Sequence, residues 1–360
     1  MAAAGLEGAL LAVDQINAAR GVADRFVPVT ADPGGEPSLY ARLAGDLLSE
    51  GIRHVVGCYT SLSRKEVVPI FEKRDALLWY PTHYEGFEAS PNVIYVGAAP
   101  NQHMLPLIDW ALRHAGRSAY CVGSNYVWAW ETNRVLREAL VPARGRILGE
   151  RYIAIADIDV DHVIQDILRV QPDFVFCTLI GTSASRFIAT LRAACRAAGI
   201  DQPRAMPLLT CNINETTMLE VPPDARDGHI SSSVYFSSVK TSANQGFVAS
   251  YRTRFGTEPS ADAEAAYCAV HLLARAILVA GSADVASVCD VLPAIRVSAP
   301  QGDVRIDGDT MHAWLTPRIG RSRVDGGFDI IEEAPAPIAP DPYLVRSARR
   351  HAPASFRLVS

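Results

Sequence analysis

The segment IRHVVGCYTSLSRKEVVPIFEKRDALLWYPTHYEG, residues 52–86, decides the fold class. It begins with an apolar run typical of a buried strand. SLSRKEVVPIFEKRD then has a helical pattern, and ALLWYP is a second apolar run. Two nearly continuous apolar strands on either side of a helix predict a parallel sheet that is covered on both faces. Because such crossovers are right-handed, repeated units of this kind build a doubly wound sheet.

The same alternation continues along the chain. Further strands are predicted at FVPVTAD (26–32), NVIYVGAA, SAYCVGSNY, RILGERYIA, DFVFCTLIG and MPLLTCNIN, with helices between most of them. Near the end, QGDVRIDGDTMHAWL predicts a β-hairpin around residues 307–309. A length of 360 residues suggests two domains or one large α/β unit. The chain opens on a helix, whereas a doubly wound domain normally opens on a strand.

Composition excludes several classes of protein. Charged residues make up 20% of the chain and the net charge is −5, which predicts no direct binding to nucleic acid and no attraction to anionic membranes. No apolar run reaches the roughly eighteen residues of a membrane span, so no membrane insertion is expected. The start, MAAAGLEGALLAVDQINAARG, reads as an amphipathic helix rather than a signal peptide. Seven scattered cysteines without metal or disulfide spacing favour a reducing compartment.

No catalytic constellation is present. The chain lacks GxSxG, HExxH, GxxxxGK[ST] and a GxGxxG after a strand. The histidines are dispersed and none has metal-ligand spacing. Glu85 and Glu88 are interpreted as solvated loop acids, because they have no nucleophile or metal partner in the sequence. We therefore predict no catalytic residue, no metal and no cofactor.

Hydroxyl and aromatic residues follow the predicted strands, and ligands of open α/β sheets bind beyond the carboxyl ends of strands. The candidates are Tyr59, Thr60, Ser61, Tyr80, Thr82, Tyr84, Ser124, Tyr126, Trp128, Thr182, Thr210, Asn212, Glu215, Tyr235 and Ser237. Such a lining, nearly free of Lys and Arg, suits a small, neutral, polar ligand. For Thr182, a helix N-cap remains the alternative interpretation.

The longest family-like stretch is 57–102, and shorter ones are GSNYVWAWETN, IGT, YFSS, EAAY and APQGDVRI. Together they resemble the type I periplasmic-binding-protein family. Within it, the stretch is similar to the branch of the amide-sensing negative regulator of aliphatic amidase operons and of urea and short-chain amide transport receptors. The resemblance implies two α/β lobes with doubly wound parallel sheets, joined by three hinge crossings. The first lobe would comprise 1–99 and 236–298, the second 100–235 and 299–345, with 346–360 as a C-terminal tail.

The resemblance also implies a ligand site between the lobes. It places ligand contacts on Tyr59, Ser61, Tyr80, Thr82, Tyr126, Thr182 and Tyr235. Ser61 opens a helix, so its hydroxyl and the free N–H groups there could receive an amide oxygen. Trp79, His83 and Trp128 depart from the family pattern. The family's first strand is absent from this chain, which suggests that residues upstream of Met1 belong to the domain.

Two functions are consistent with this resemblance. The first is a cytoplasmic sensor of a small neutral amide or urea, signalling by cleft closure to an antitermination regulator. The alternative is a receptor of an ABC transporter for urea, short-chain amides or branched amino acids. That receptor would be periplasmic if a leader was removed, with a permease as its partner. An amino-acid receptor would need an acid for the ammonium group, and Glu215, predicted to be solvated, is the candidate. A homo-oligomer is compatible with either function.

Overall fold

A computed structural model describes residues 1–19 and 25–349. The helices are α1 (Ala2–Ala18), α2 (Pro37–Ser49), α3 (Ser61–Arg74), α4 (Pro100–His114), α5 (Val127–Leu140), α6 (Asp161–Val170), α7 (Thr182–Ala197), α8 (Gln202–Ala205), α9 (Glu215–Glu220), α10 (Ser242–Phe255), α11 (Ala261–Ala280), α12 (Val285–Val291) and α13 (Val345–Arg349). The strands are β1 (His54–Val56), β2 (Leu77–Tyr80), β3 (Val93–Tyr95), β4 (Ser118–Ser124), β5 (Arg146–Ile153), β6 (Phe174–Thr178), β7 (Leu208–Thr210), β8 (Ile230–Ser233), β9 (Val297–Ala299), β10 (Gly302–Ile306), β11 (Ala313–Trp314), β12 (Arg318–Ser322) and β13 (Phe328–Glu333).

The strands form two parallel-stranded sheets and a separate hairpin sheet. The small sheet has the order β1-β2-β3, all parallel. The large sheet has the order β13-β12-β8-β7-β6-β4-β5, in which β12 and β13 run antiparallel to the rest. The hairpin sheet has the order β11-β10-β9. The predicted α/β class is confirmed, and residues 52–86 form β1, α3 and β2 as expected.

Helix α3 begins directly after β1, and its first turn is fixed by local hydrogen bonds. The Thr60 hydroxyl accepts the Ser63 N–H, while the Ser63 hydroxyl accepts the Thr60 N–H, which is a capping box. The helix ends at Arg74 and is followed by Asp75, which takes a left-handed conformation as the C-cap. Val67 and Phe71 are buried against the small sheet. The start of α3 is thereby held at the carboxyl end of β1.

The two sheets have separate hydrophobic cores. Around the large sheet, apolar residues of β4, β6 and β7 pack between helices on both faces, as expected for a covered parallel sheet. Around the small sheet, the core includes Trp79, which is fully buried. Helix α11 is long and apolar enough to cross a bilayer, but over half of its apolar window is buried within the protein, where it packs against α1. We therefore assign α11 to the core of the small-sheet side.

One prediction of local structure differs from what is observed, and another is confirmed. Residues 26–32 form no strand and pair with no strand of the described chain, and the Phe26 N–H and carbonyl instead hydrogen-bond to the Asn17 side chain. Val27 is accordingly 82% exposed. The hairpin at 307–309 is confirmed, with Ile306 opposite Ala313.

Residues 299–314, which include β10 and β11, lie close to the small sheet. Val304, Ile306 and Leu315 pack in the same cluster as Trp79, and Tyr95 forms an isolated β-bridge to His312. Residues 299–314, predicted to belong to the second lobe, therefore pack beside the small sheet. After β11 the chain returns to the large sheet at β12. The predicted lobe division stays a prediction.

Candidate ligand-binding cleft

The carboxyl ends of strands from both sheets face a common cavity. Its lining comes from the starts of α3 and α5, the loop after β2, and residues that follow β6 and β7. The lining residues are Met1, Tyr59, Thr60, Ser61, Tyr80, Thr82, His83, Tyr126, Trp128, Ile180 and Asn212. The cavity volume is about 30 Å³, enough for one or two water-sized groups. The cavity is tight and suits a small ligand.

Five of the seven predicted ligand residues meet in this cavity: Tyr59, Ser61, Tyr80, Thr82 and Tyr126. Thr182 lies elsewhere, as the exposed first residue of α7. Tyr235 is fully buried outside the cavity, where its hydroxyl donates to the Asn244 side chain at 2.8 Å and its ring packs edge-on to Phe247. Core packing between α10 and the crossing after β8 therefore accounts for Tyr235.

Some lining residues were absent from the predicted ligand set. The sequence does indicate three of them, Thr60, Trp128 and Asn212, because each is polar or aromatic and follows a strand. His83 was noted only as a departure from the family pattern. Ile180 is apolar and directly follows an apolar strand, so the sequence held no signal for it.

The side chains that line the cavity carry no formal charge near neutral pH. None is Lys, Arg, Asp or Glu. Burial lowers the pKa of His83 to about 4, so its imidazole is neutral. Burial likewise raises the pKa of Tyr59 and of Tyr80, so both hydroxyls stay protonated. These side chains therefore offer hydrogen bonds and apolar contact.

Two polar side-chain atoms in the lining are buried without a hydrogen-bond partner in the described part of the chain. They are the Thr82 hydroxyl and the Trp128 indole nitrogen. Buried polar groups are normally paired, and an unpaired one costs about 1–3 kcal/mol. A ligand that satisfied both groups would recover that cost.

Contacts cross the cavity between the two sheets. The Tyr126 hydroxyl, at the start of α5, accepts the Leu62 N–H at the start of α3, with a distance of 3.0 Å. The His83 and Trp128 rings meet edge-to-face with centroids 5.4 Å apart. These contacts hold the two walls of the cleft together.

A buried ionic network lies behind the small-sheet wall. The Ser61 hydroxyl donates to Glu85 Oε2 at 2.5 Å, and Arg64 Nη2 donates to Glu85 Oε1 at 2.9 Å. Arg64 is fully buried and Glu85 is 4% exposed. The prediction that Glu85 and Glu88 are solvated loop acids is therefore wrong. The helical side chain of Arg64 reaches both carboxylates, which loop composition alone could not reveal.

Glu88 occupies the outer end of this network. Its carboxylate accepts from Arg64 Nε at 2.7 Å, from Lys65 at 2.8 Å and from the Tyr95 hydroxyl at 2.9 Å. Burial alone would raise the pKa of Glu88, but Arg64 and Lys65 outweigh burial and lower it to about 2. The Arg64 guanidinium also lies 4.8 Å from the ring centroids of Tyr80 and of a second tyrosine in the loop. The network fixes the loop after β2.

Glu215, the predicted candidate for an ammonium contact, is not solvated. It is 2% exposed, and its Oε1 accepts the Ser237 N–H at 2.7 Å. Burial raises the pKa of Glu215 to about 7. Its carboxylate accepts a backbone N–H of the segment after β8. Glu215 does not line the cavity.

Metal chemistry finds no support in the described residues, 1–19 and 25–349. No group of three or more His, Cys, Asp or Glu side chains lies close enough to hold an ion there. The seven cysteines are free thiols, and burial raises the pKa of Cys58 to about 12 and of Cys177 to about 12. These thiols are protonated and weak nucleophiles.

Comparison with known structures agrees with this architecture. The solute-binding protein of an ABC transporter from R. palustris, in complex with benzoate, has a TM-score of 0.82 and 21% identity, and the match covers 94% of this chain and 93% of that one. A branched-chain amino acid transporter substrate-binding protein from Streptococcus pneumoniae, in complex with isoleucine, has a TM-score of 0.79 and 19% identity, covering 92% and 93%. At these identities the likeness establishes the fold.

A curated relative matches a shorter stretch. Limonene hydroxylase from Geobacillus stearothermophilus is 28% identical over 122 residues, which is 33% of this chain. This chain spans only 22% of that protein, so the match says nothing of activity here. A family model described as a periplasmic binding protein domain matches residues 2–349. The chain therefore belongs to the periplasmic binding protein family and has its type I α/β fold.

Proposed function

We propose that this chain is the substrate-binding receptor of an ABC transporter and that it binds a small neutral amide or a urea-like molecule. The transporter role is supported by the solute-binding proteins that share the fold. The ligand class is supported by one observation: the cavity is lined by uncharged side chains, with the Thr82 hydroxyl and the Trp128 N–H left unpaired. The benzoate and isoleucine of the similar proteins both carry a carboxylate, and no cationic side chain lines this cavity.

Function then follows from cleft closure. A ligand held by both Ser61 on the small-sheet side and Trp128 on the large-sheet side favours the closed state, because both contacts exist only there. Moving a population from mostly open to mostly closed takes about 5 kcal/mol of differential affinity. A permease would recognise the closed surface. Binding without turnover is sufficient for this role.

A second function is a cytoplasmic sensor that passes closure to an antitermination regulator. The observation in its favour is the seven free thiols, because cysteines of cytoplasmic proteins are kept reduced. The neighbouring genes discriminate the two functions. Genes for a permease and an ATPase support the receptor, and genes for an amidase and an antiterminator support the sensor.

The test is a calorimetric and thermal-unfolding panel with acetamide, propionamide, formamide, urea, benzoate and isoleucine. At a concentration one hundred times its Kd, a true ligand stabilises the protein by about 2.7 kcal/mol. We expect a response to a neutral amide or urea that Thr82→Val weakens. Thr182→Val is the matched control outside the cavity. A response to benzoate or isoleucine alone refutes the ligand class, and hydrolysis of acetamide or urea by the purified chain refutes a purely binding role.

A further inference from the structure

We propose that Glu85 is a positioning residue that turns the Ser61 hydroxyl into a hydrogen-bond acceptor toward the cavity, so that the site takes a carboxamide and rejects the carboxylate of the same shape. This inference rests on the proposed function, whose ligand class it narrows. It concerns a side chain outside the cavity lining, and it is carried by geometry.

The direction of the Ser61 hydrogen bond is fixed by its partner. A serine hydroxyl has one hydrogen, and an ionised carboxylate can only accept. Glu85 Oε1 accepts from the fully buried Arg64 at 2.9 Å, so both oxygens of this carboxylate act as acceptors. Glu85 Oε2 takes the Ser61 hydrogen at 2.5 Å. The lone pairs of the Ser61 oxygen are therefore what remains for a ligand in the cavity.

The opposite wall supplies donors. The Trp128 indole N–H can only donate, and it has no partner in the described chain. The Tyr126 hydroxyl already accepts the Leu62 N–H, so its own hydrogen remains to be donated. The cavity thus offers an acceptor on one wall and donors on the other, and the Thr82 hydroxyl can act either way.

A primary carboxamide matches this arrangement and a carboxylate does not. The carboxamide N–H faces Ser61 and its carbonyl oxygen faces Trp128. A carboxylate would direct its second oxygen at the Ser61 lone pairs, with the Glu85 anion directly behind them. Sites built to hydrogen-bond one donor group reject analogues that lack it by large factors, up to about 10⁴ to 10⁵. We expect a preference for acetamide over acetate of at least about 100-fold here.

Removing the charge of Glu85 should release the Ser61 hydroxyl. In Glu85→Gln the side-chain amide can donate to Ser61, and Ser61 can then donate to the ligand. Arg64 keeps its contact with Glu88 at 2.7 Å, so the guanidinium is not left unpaired. The matched control is Glu88→Gln, which makes the same change on the other carboxylate of Arg64. Glu88 has no hydrogen bond to Ser61 in the structure.

The experiment is isothermal titration of wild type, Glu85→Gln and Glu88→Gln with acetamide and with acetate, after thermal unfolding confirms that each variant is folded. We expect the acetamide-to-acetate affinity ratio to fall by at least about tenfold in Glu85→Gln and to hold in Glu88→Gln. If Glu85→Gln does not fold, Ser61→Ala must lower the same ratio through weaker acetamide binding alone.

Each other outcome contradicts the inference in a distinguishable way. If wild type binds acetamide and the ratio is the same in Glu85→Gln, Glu85 does not position Ser61, although the proposed function stands. An equal fall of the ratio in both Glu variants points to general damage to the Arg64 network and also overturns the proposal. If wild type binds neither an amide nor urea, the proposed function fails and the inference fails with it.

Discussion

Glu264 is predicted to make the stability of this protein fall as the pH rises. This side chain of α11 is fully buried, and its carboxyl oxygens accept the Gln301 backbone N–H at 3.2 Å and the Gln301 side-chain amide at 2.8 Å. Burial raises the pKa of Glu264 to about 8, although Gln301 and Arg318 oppose the rise. The Gln301 side-chain oxygen has no hydrogen-bond partner among residues 1–19 and 25–349. With that amide turned over, its oxygen would accept a hydrogen bond from the O–H of a neutral Glu264.

The sign and size of the effect follow from proton linkage. The pKa is about 8 in the folded chain and 4.5 at its ordinary value, so the folded state binds the proton more tightly. Stability from this group is complete below pH 4.5 and is lost as the pH rises through 8. One pKa unit corresponds to about 1.4 kcal/mol. Between pH 5 and pH 8 the folded state should therefore lose about 3 kcal/mol through Glu264.

The assay is urea unfolding of wild type and Glu264→Gln at pH 5, 6, 7 and 8. The variant has no proton to lose at this position, so the free energy of unfolding of wild type should decline relative to it by that amount. Glu332→Gln is the control without a pH trend in this range, because hydrogen bonds from Arg113 lower the pKa of this half-exposed carboxyl and place its effect on stability below pH 5. A constant difference between wild type and Glu264→Gln across the four pH values would refute the reasoning.

Three further predictions concern the cleft and its support. Tyr126→Phe removes the acceptor of the hydrogen bond that crosses the cleft and a donor to the ligand, each worth about 0.5–1.5 kcal/mol, so calorimetry should show ligand affinity lowered at least about 5-fold. Arg64→Met leaves two carboxylates without their buried partner and should lower the free energy of unfolding, measured with urea, by about 3–5 kcal/mol. Lys65→Met changes an exposed side chain and should lower it by under about 1 kcal/mol. Equal losses would contradict the burial argument. Gly97→Ala would place a Cβ 2.1 Å from the Thr82 carbonyl group, so the loop after β2 must move. The rise in melting temperature caused by ligand should then disappear. An unchanged rise would show that the loop tolerates the movement.

The fold class could be predicted because strand and helix patterns are local properties of the chain. The pattern of residues 52–86 predicts a strand, a helix and a second strand, and the structure keeps that order, with β1 half-buried and β2 buried. The strand predicted at 26–32 did not form because a strand also needs a neighbour, which sequence pattern alone does not supply. The hairpin was predictable from its turn residues, but the sheet against which it packs was not.

Much of the cleft could be predicted, since residues after parallel strands meet at one edge of a sheet. Ser61, Tyr80 and Tyr126 lie at such positions and do line the cavity. The ionic network behind them could not be predicted, because it depends on Arg64 of a helix meeting Glu85 of a loop 21 residues away. Nothing in either segment alone indicates that the carboxylate is buried.

The hydrogen bond from the Leu62 N–H to Tyr126 affects what fraction of the protein is closed when no ligand is bound. Neither group belongs to a ligand, so this bond stabilises an empty closed cleft as well as a filled one. A partner that recognises closure alone would then be engaged by empty molecules in proportion to their closed population. The strength of this one bond thus sets a trade-off: a stronger bond increases apparent affinity, and it also raises the response in the absence of ligand. A low response without ligand requires this bond to stay weak. It is a neutral hydrogen bond, and Leu62 is exposed to solvent.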